Sequence, residues 1–445
     1  VATENLTSDG VLLTGVTGFV GMELLVRYLE LTDRRVYVLV RGASDREAKA
    51  RVRRTLLSLL GGDHPYAGRV VAVRGDIARP GLGILRGGDE LAEQVSEIVH
   101  CAASVSFELG LKDLRAVNVE GTRRMLKFAQ LCNRRGGLRR FSYISTAYVA
   151  GEHVGHFSED ELDVGQSFRN AYEQSKFEAE RLVAHASSRI PVTVLRPSIV
   201  VGECGSGWTT SFNVLYWPLR AFAQGAYAAL PARRGAPVDV VPVDYVADAI
   251  FLLAQAREAE GATFHLTAGA NVSSVGELVE LAAAYFRRPP PRLIEPAVYR
   301  SVVHPLLVRA SRDERYQRAL ERSEVFFPYF ATRVRYDDRR SRVALCAAGI
   351  RPPPLRHYFD RLVEFALASE WGRRPISRVA AVGPGGLFAS RPPRRRRPAP
   401  ARVRAPTPTR AQVSPRAQVS SRAQASPRAP ALALAPPPAP SELTR

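Results

Sequence analysis

Short apolar runs alternate with longer amphipathic stretches through roughly the first 200 residues of the chain. Six of the runs read as strands: Gly10–Thr14, Val36–Val40, Val70–Gly75, Glu97–Cys101, Arg140–Ser145 and Val192–Arg196. Helical patterns begin between them, near Gly18, Asp45, Leu91, Val117 and Tyr172. Strand–helix alternation of this kind builds βαβ units around a parallel sheet. Because the runs are apolar almost throughout rather than at every second position, both faces of the sheet should be covered.

From about Ser206 the regularity fades. SFNVLYWPLRAFAQGAY is apolar and aromatic, and SVGELVELAAAYF and HYFDRLVEFALA read as amphipathic helices. The expected fold is therefore α/β: a Rossmann-type doubly wound parallel sheet over 1–205, then a smaller C-terminal substrate region over 206–378 interleaved with the last sheet elements. Residues 379–445 are rich in Pro, Ala and Arg, repeat crudely (RAQVSPRAQVSSRAQASPRAP), and hold too few large apolar side chains to offset the entropy of folding. A disordered tail is expected there.

Charge changes the picture less than its total suggests. Of the formal +20, the segment from Arg391 onward carries +11, from twelve Arg against one Glu. A weak contact of the tail with an anionic surface is weighed against a passive tail, and the passive reading is preferred; no specific nucleic-acid partner is expected. No apolar run approaches the roughly 18–20 residues of a membrane-spanning helix, so any membrane contact would be peripheral, through Trp208, Trp217 and their aromatic neighbours. Cys101, Cys132, Cys204 and Cys346 stand far apart, without CxxC or metal-ligand spacing. Free thiols and no metal are expected. With no secretory pattern in VATENLTSDG, the cytoplasm is the expected compartment.

The candidate chemistry begins at VLLTGVTGFVGMELL, which sets Gly15, Gly18 and Gly21 between a strand and a helix. Glycines there allow a tight turn and a close approach of backbone to a pyrophosphate, and the helix start offers unpaired N–H groups. Thr14, Gly15, Thr17, Gly18, Phe19, Val20 and Gly21 are the candidate contacts. The second strand ends in Arg41, where NAD-specific versions carry an acid for the ribose 2′-hydroxyl. A guanidinium suits a 2′-phosphate, so NADPH is expected over NADH. A surface arginine in an arginine-rich chain would look the same. Asp76 and Ile77 follow the third strand, where a carboxylate can meet adenine; Cys101, Ala102 and Ala103 follow the fourth, where small residues let backbone lie against the cofactor.

NAYEQSK places Tyr172 and Lys176 four apart on one helix face. With 15 Tyr and only Lys49, Lys112, Lys127 and Lys176 in the chain, chance predicts well under one such pair. A phenol of ordinary pKa about 10 is a poor proton carrier at neutral pH. An adjacent ammonium and the oxidised nicotinamide would lower it. Upstream, Ser145 and Thr146 end a strand, and a hydroxyl there can donate to a carbonyl oxygen that gains negative charge.

With TGVTGFVG, LVRG, HCAASVSF, NVEGT, ISTAYVAG, YEQSK, LRPSIVVGE and PVDYVADAI, the chain resembles the extended short-chain dehydrogenase/reductases over Asp9–Thr267, more loosely to about Arg378. Among them it is most similar to the acyl-thioester reductase branch, the fatty acyl-CoA reductases and the reductase domain of carboxylic acid reductases. The resemblance implies a catalytic set of Thr146, Tyr172 and Lys176, with Lys176 also on the nicotinamide ribose. It implies that Pro197, Ser198, Ile199 and Val200 line the nicotinamide, that Asn118 lies near the cofactor or flanks the site, and that Val243 and Asp244 border the substrate cleft. Asn118 is read as structural, a helix cap. The expected reaction is NADPH-dependent reduction of a fatty acyl thioester, on CoA or an acyl carrier protein, to aldehyde, or by a second hydride to alcohol. Phe212–Tyr227 could bind the chain or form a core helix. Two alternatives stay open: an epimerase/dehydratase or sterol-type alcohol dehydrogenase of the same superfamily, and a non-catalytic NADP(H)-binding sensor. Ala-Tyr-Glu and Val-Val-Gly-Glu, where sugar enzymes usually carry PYG and VYGP, favour an apolar substrate; the intact Tyr172–Lys176 pair favours an enzyme.

Overall fold

The computed structural model describes residues 9–382 apart from 63, 213, 226–228, 304 and 306–323. The chain divides into two units, Val1–Arg395 and Arg396–Arg445. The second unit lies outside the described residues, as does the expected tail from 383 on; 379–382, expected to be disordered, instead belong to a helix, Arg378–Val382, in which Ala381 is buried.

Seven strands form one parallel sheet: β1 (Gly10–Thr14), β2 (Val36–Val40), β3 (Val70–Arg74), β4 (Val95–His100), β5 (Arg140–Ile144), β6 (Val192–Pro197) and β7 (Thr263–Leu266), in the spatial order β7-β6-β5-β4-β1-β2-β3. The chain winds outward in one direction from β1 and in the other from β4, so a crevice opens at the carboxyl ends of these two neighbours. Alternation along the strands explains the covering of both faces. Val11, Leu13, Val36 and Val38 pack under α1 (Phe19–Leu31), α2 (Asp45–Leu60) and α7 (Val243–Gln255). Leu12, Tyr37, Leu39, Ile98 and Phe141 face α3 (Gly88–Gln94), α4 (Glu120–Arg135) and α5 (Ala171–Ala186). Each such burial contributes about 1.5–3 kcal/mol.

β7 was not among the six strands read from the sequence. It comes from the region after 206 and extends the sheet beside β6. That region also builds a second core around α6 (Tyr216–Ala223), α8 (Val275–Phe286) and α10 (Phe359–Ala368). The described part of Phe212–Tyr227 belongs to this core: Tyr216, Leu219 and Phe222 are buried, and Phe212 stacks on Phe365. Trp208 is fully buried and donates from Nε1 to the Ile376 carbonyl at 3.1 Å, which removes it from any membrane contact. Between them lies α9 (Arg339–Cys346), and the last described helix, α11 (Arg378–Val382), is anchored by Arg378 on Glu23 of α1 at 2.6 Å. No helix among the described residues is long and apolar enough to cross a membrane.

Candidate active site

The glycine loop after β1 turns in the way its composition demands. Gly15 has φ +77, and a Cβ there would lie 2.7 Å from the Ala102 nitrogen; one on Gly21 would lie 2.2 Å from the Gly15 carbonyl oxygen. A side chain at either position would run into neighbouring backbone, so only glycine lets the strand turn this tightly into the helix. α1 starts with Gly18 as its cap and no side-chain oxygen on its first N–H groups, which keeps that positive end available. The loop thus fits a dinucleotide.

Around it stand the other expected contacts. Arg41 is exposed just past β2. Asp76 is half-buried and accepts the Ala78 N–H at 2.9 Å, holding the turn in which Ile77 is buried. Cys101, Ala102 and Ala103 form a half-buried shelf past β4. Burial pushes the Cys101 thiol up to about 11, so it is not a thiolate at neutral pH. Pro197 ends β6, and Ile199 and Val200 pair with Val240 and Val241 of a short outer strand. Ser198 is buried, and burial raises the Asp239 carboxyl to about 6.

Thr146, Tyr172 and Lys176 come together where β5 meets α5. Burial lifts the Tyr172 phenol to about 12, and the Thr146 hydroxyl, which lies 3.4 Å from the Pro197 carbonyl oxygen, opposes that rise. Lys176 is not among the groups acting on Tyr172. Its Nζ donates instead to Tyr143 Oη and the Ile144 carbonyl, each at 2.8 Å, and burial brings its ammonium down to about 8. The tyrosine therefore keeps its proton at neutral pH, whereas the sequence argument anticipated a lowered phenol.

Asn118 is no helix cap. It sits in a single π-turn, Arg115–Val119, ahead of α4. Its side chain accepts from the Ser104 N–H at 2.7 Å and donates to the Ser104 carbonyl at 3.0 Å and to Ser175 Oγ at 2.9 Å. It thereby ties the loop after the shelf to the catalytic helix. Val243 and Asp244 lie inside rather than on an open cleft: Val243 is in the core, and Asp244 accepts the Cys204 N–H at 3.0 Å.

Sequence reasoning missed the aromatic wall. Phe107, on the loop held by Asn118, packs 5.5 Å from the Tyr172 ring and stacks at 5.7 Å on Tyr329, which meets Tyr148 at 5.1 Å. Val105 and Leu109 on the same loop are exposed. The motif HCAASVSF contains Phe107, but only the fold shows that it faces the tyrosine. Ser145 was paired with Thr146 in the sequence, yet its hydroxyl donates away from the site to Glu180, which holds Arg196 at 2.6 Å.

The family model described as Male sterility protein matches residues 13–250. The isonitrile lipopeptide synthase of Streptomyces coeruleorubidus is 35% identical over 289 residues, 64% of this chain and 19% of that protein. Fatty acyl-CoA reductase 1 of Gallus gallus is 30% identical over 279 residues, 55% of this chain and 54% of that one. The chain thus spans about half or less of the curated relatives it matches. The terminal R domain of the myxalamid PKS-NRPS pathway superposes with TM-score 0.70 and 30% identity, over 83% of this chain and 93% of that domain.

Proposed function

This chain belongs to the Male sterility protein family and has its NAD(P)-binding oxidoreductase fold, and from that premise we propose that it reduces acyl thioesters, free or carrier-bound, with NADPH. The observation that carries the reading is the placing of Thr146 and Cys101 against the Tyr172 phenol, with Lys176 one helical turn along. The relatives' names supply the substrate class, an acyl-CoA in one and a lipopeptide in another.

The glycine loop and the start of α1 would hold the pyrophosphate, Arg41 the 2′-phosphate, and Lys176 the nicotinamide ribose. Bound there, NADPH supplies a hydride equivalent to the thioester carbonyl. Thr146 and Tyr172 donate to the carbonyl oxygen as it gains charge, beside the aromatic wall of Phe107, Tyr148 and Tyr329. Tyr172 holds the proton that this oxygen takes, and a phenol lifted by burial is fully in that acid form at neutral pH. Collapse of the adduct breaks the C–S bond and leaves aldehyde and thiol. The apolar fringe of Val105, Phe107 and Leu109 suits a hydrocarbon chain better than a sugar.

The test is NADPH consumption with a panel of acyl-CoAs, fatty aldehydes and nucleotide sugars, repeated with NADH. Consumption with acyl-CoA is expected, and activity on sugars alone would refute the thioester reading. Tyr172→Phe should cut turnover by about 100-fold or more while cofactor affinity stays within about twofold; retained turnover would remove Tyr172 from the chemistry.

A further inference from the structure

Beneath the shelf a string of polar side chains leads away from Lys176, and the reaction as described uses none of Tyr143, Thr122 and His100. Thr14, His100, Thr122, Tyr143 and Lys176 come from β1, β4, α4, β5 and α5, and each is at most 3% exposed. Polar groups at that depth need partners, and here they find one another. Lys176 Nζ lies 2.8 Å from Tyr143 Oη. The Thr122 hydroxyl adjoins Tyr143, and its Oγ1 lies 3.2 Å from His100 Nε2. His100 Nδ1 lies 2.9 Å from Thr14 Oγ1, which also accepts the Ala102 N–H at 3.1 Å. Parallel pairing sets this up, since His100 stands opposite Thr14 on one side and Tyr143 on the other.

The protons can be ordered. Burial brings His100 down to about 3, so the ring is neutral and carries one N–H. The ammonium can only donate. If Tyr143 passes its own proton to Thr122, Thr122 can donate to Nε2, and Nδ1–H to Thr14. In the opposite order Tyr143 Oη would accept from Thr122 and Lys176 at once, two donors competing for one phenol oxygen. The first order runs away from the positive charge, so each donor strengthens the next.

We propose that Tyr143 is a positioning residue for the catalytic lysine: it holds the Lys176 ammonium under the nicotinamide side of the shelf and ties it, through Thr122 and His100, to Thr14 at the root of the phosphate loop. The proposal rests on Lys176 belonging to the catalytic set, but its test needs neither substrate nor turnover. Four lysines make the chain suited to direct titration by carbon NMR after labelling lysine at the ε-carbon, with the Lys176 signal assigned by its loss in Lys176→Arg. The full chain should show Lys176 titrating near 8. Tyr143→Phe removes an acceptor from a charged donor and should lower that midpoint by about one pH unit. Thr122→Val, a nearly isosteric change, should lower it by a smaller step, because Tyr143 accepts less strongly once it has nowhere to donate. Far-ultraviolet circular dichroism of the same samples reports whether each variant is folded. An unmoved Lys176 midpoint in folded Tyr143→Phe overturns the proposal, and an unmoved or raised midpoint in Thr122→Val overturns the string beyond Tyr143. Silence of the enzyme on thioesters would leave these titrations untouched and would count against the proposed reaction alone.

Discussion

The Arg41 guanidinium is exposed at the end of β2, directly after the buried Val40, while its neighbour Arg74 at the end of β3 is held by Asp45 at 3.1 Å and by the Ala43 carbonyl at 3.1 Å. A charge-assisted hydrogen bond contributes about 1.5–3 kcal/mol, so Arg41→Ala should weaken NADPH binding about 10- to 100-fold and leave NADH unchanged. Calorimetric titration of both cofactors checks this, and an equal loss for both would exclude the 2′-phosphate role. At this scale the sequence is readable where a residue type is rare or its conformation special. Lys176 is one of four lysines, and Gly15 and Gly21 occupy positions closed to any side chain. Tyr143 and Phe107 left no such mark. One is an aromatic in an apolar strand and the other an aromatic in a loop, and only the register of β5 against β4 and the path of the loop give them partners.

Elements explain the difference more fully. β1 to β6 announce themselves as apolar runs, and their ends fall within about two residues of the expected positions. β7 does not: it has four residues, Thr-Phe-His-Leu, and its His265 is buried, neutral, and bonded to Arg196 at 3.2 Å. A polar residue that is satisfied only across the fold breaks the local pattern. The same holds for Leu111–Val119, whose charged residues hid a helical turn and a π-turn ahead of α4. That π-turn is what aims Asn118 at Ser104 and Ser175. Asn118→Ala removes three hydrogen bonds and leaves buried groups unpaired, a loss of about 2 kcal/mol or more. Amide hydrogen exchange over Ser104–Gly110 should accelerate at least tenfold, with α5 still protected and the apparent KM for substrate raised. Unchanged exchange would show that the loop holds itself.

Across the described residues, the last helix returns to the first. Glu23 of α1 is fully buried; burial pushes its carboxyl up, but Arg27 and Arg378 outweigh that and hold it below the usual range. Arg378 also lies 3.6 Å from Glu203, beyond β6. Removing one partner from a buried charge is costly, so Arg378→Ala should destabilise the protein by about 2–4 kcal/mol. The urea midpoint should fall while kcat of the folded fraction stays within about twofold. A midpoint unchanged within error would mean that Arg27 alone neutralises Glu23. Such closure over 355 positions could not be read from local pattern, because nothing near Arg378 distinguishes it from the chain's many other arginines.

Trp208 gives the molecule an optical consequence. Its indole is sealed in the core, 5.6 Å from the ring of Phe19, the first residue of the helix that starts at the phosphate loop. Indole emits where reduced nicotinamide absorbs, so light taken up by Trp208 should emerge from NADPH seated in the crevice. Titrating NADPH should dim the blue-shifted tryptophan band and brighten the cofactor's own, while NADP⁺ leaves the second band dark. In Trp208→Phe most of that transfer should vanish, and its persistence would point to Trp217 or Trp371 as the donor. The protein thus carries its own gauge of cofactor occupancy, readable before any substrate is known.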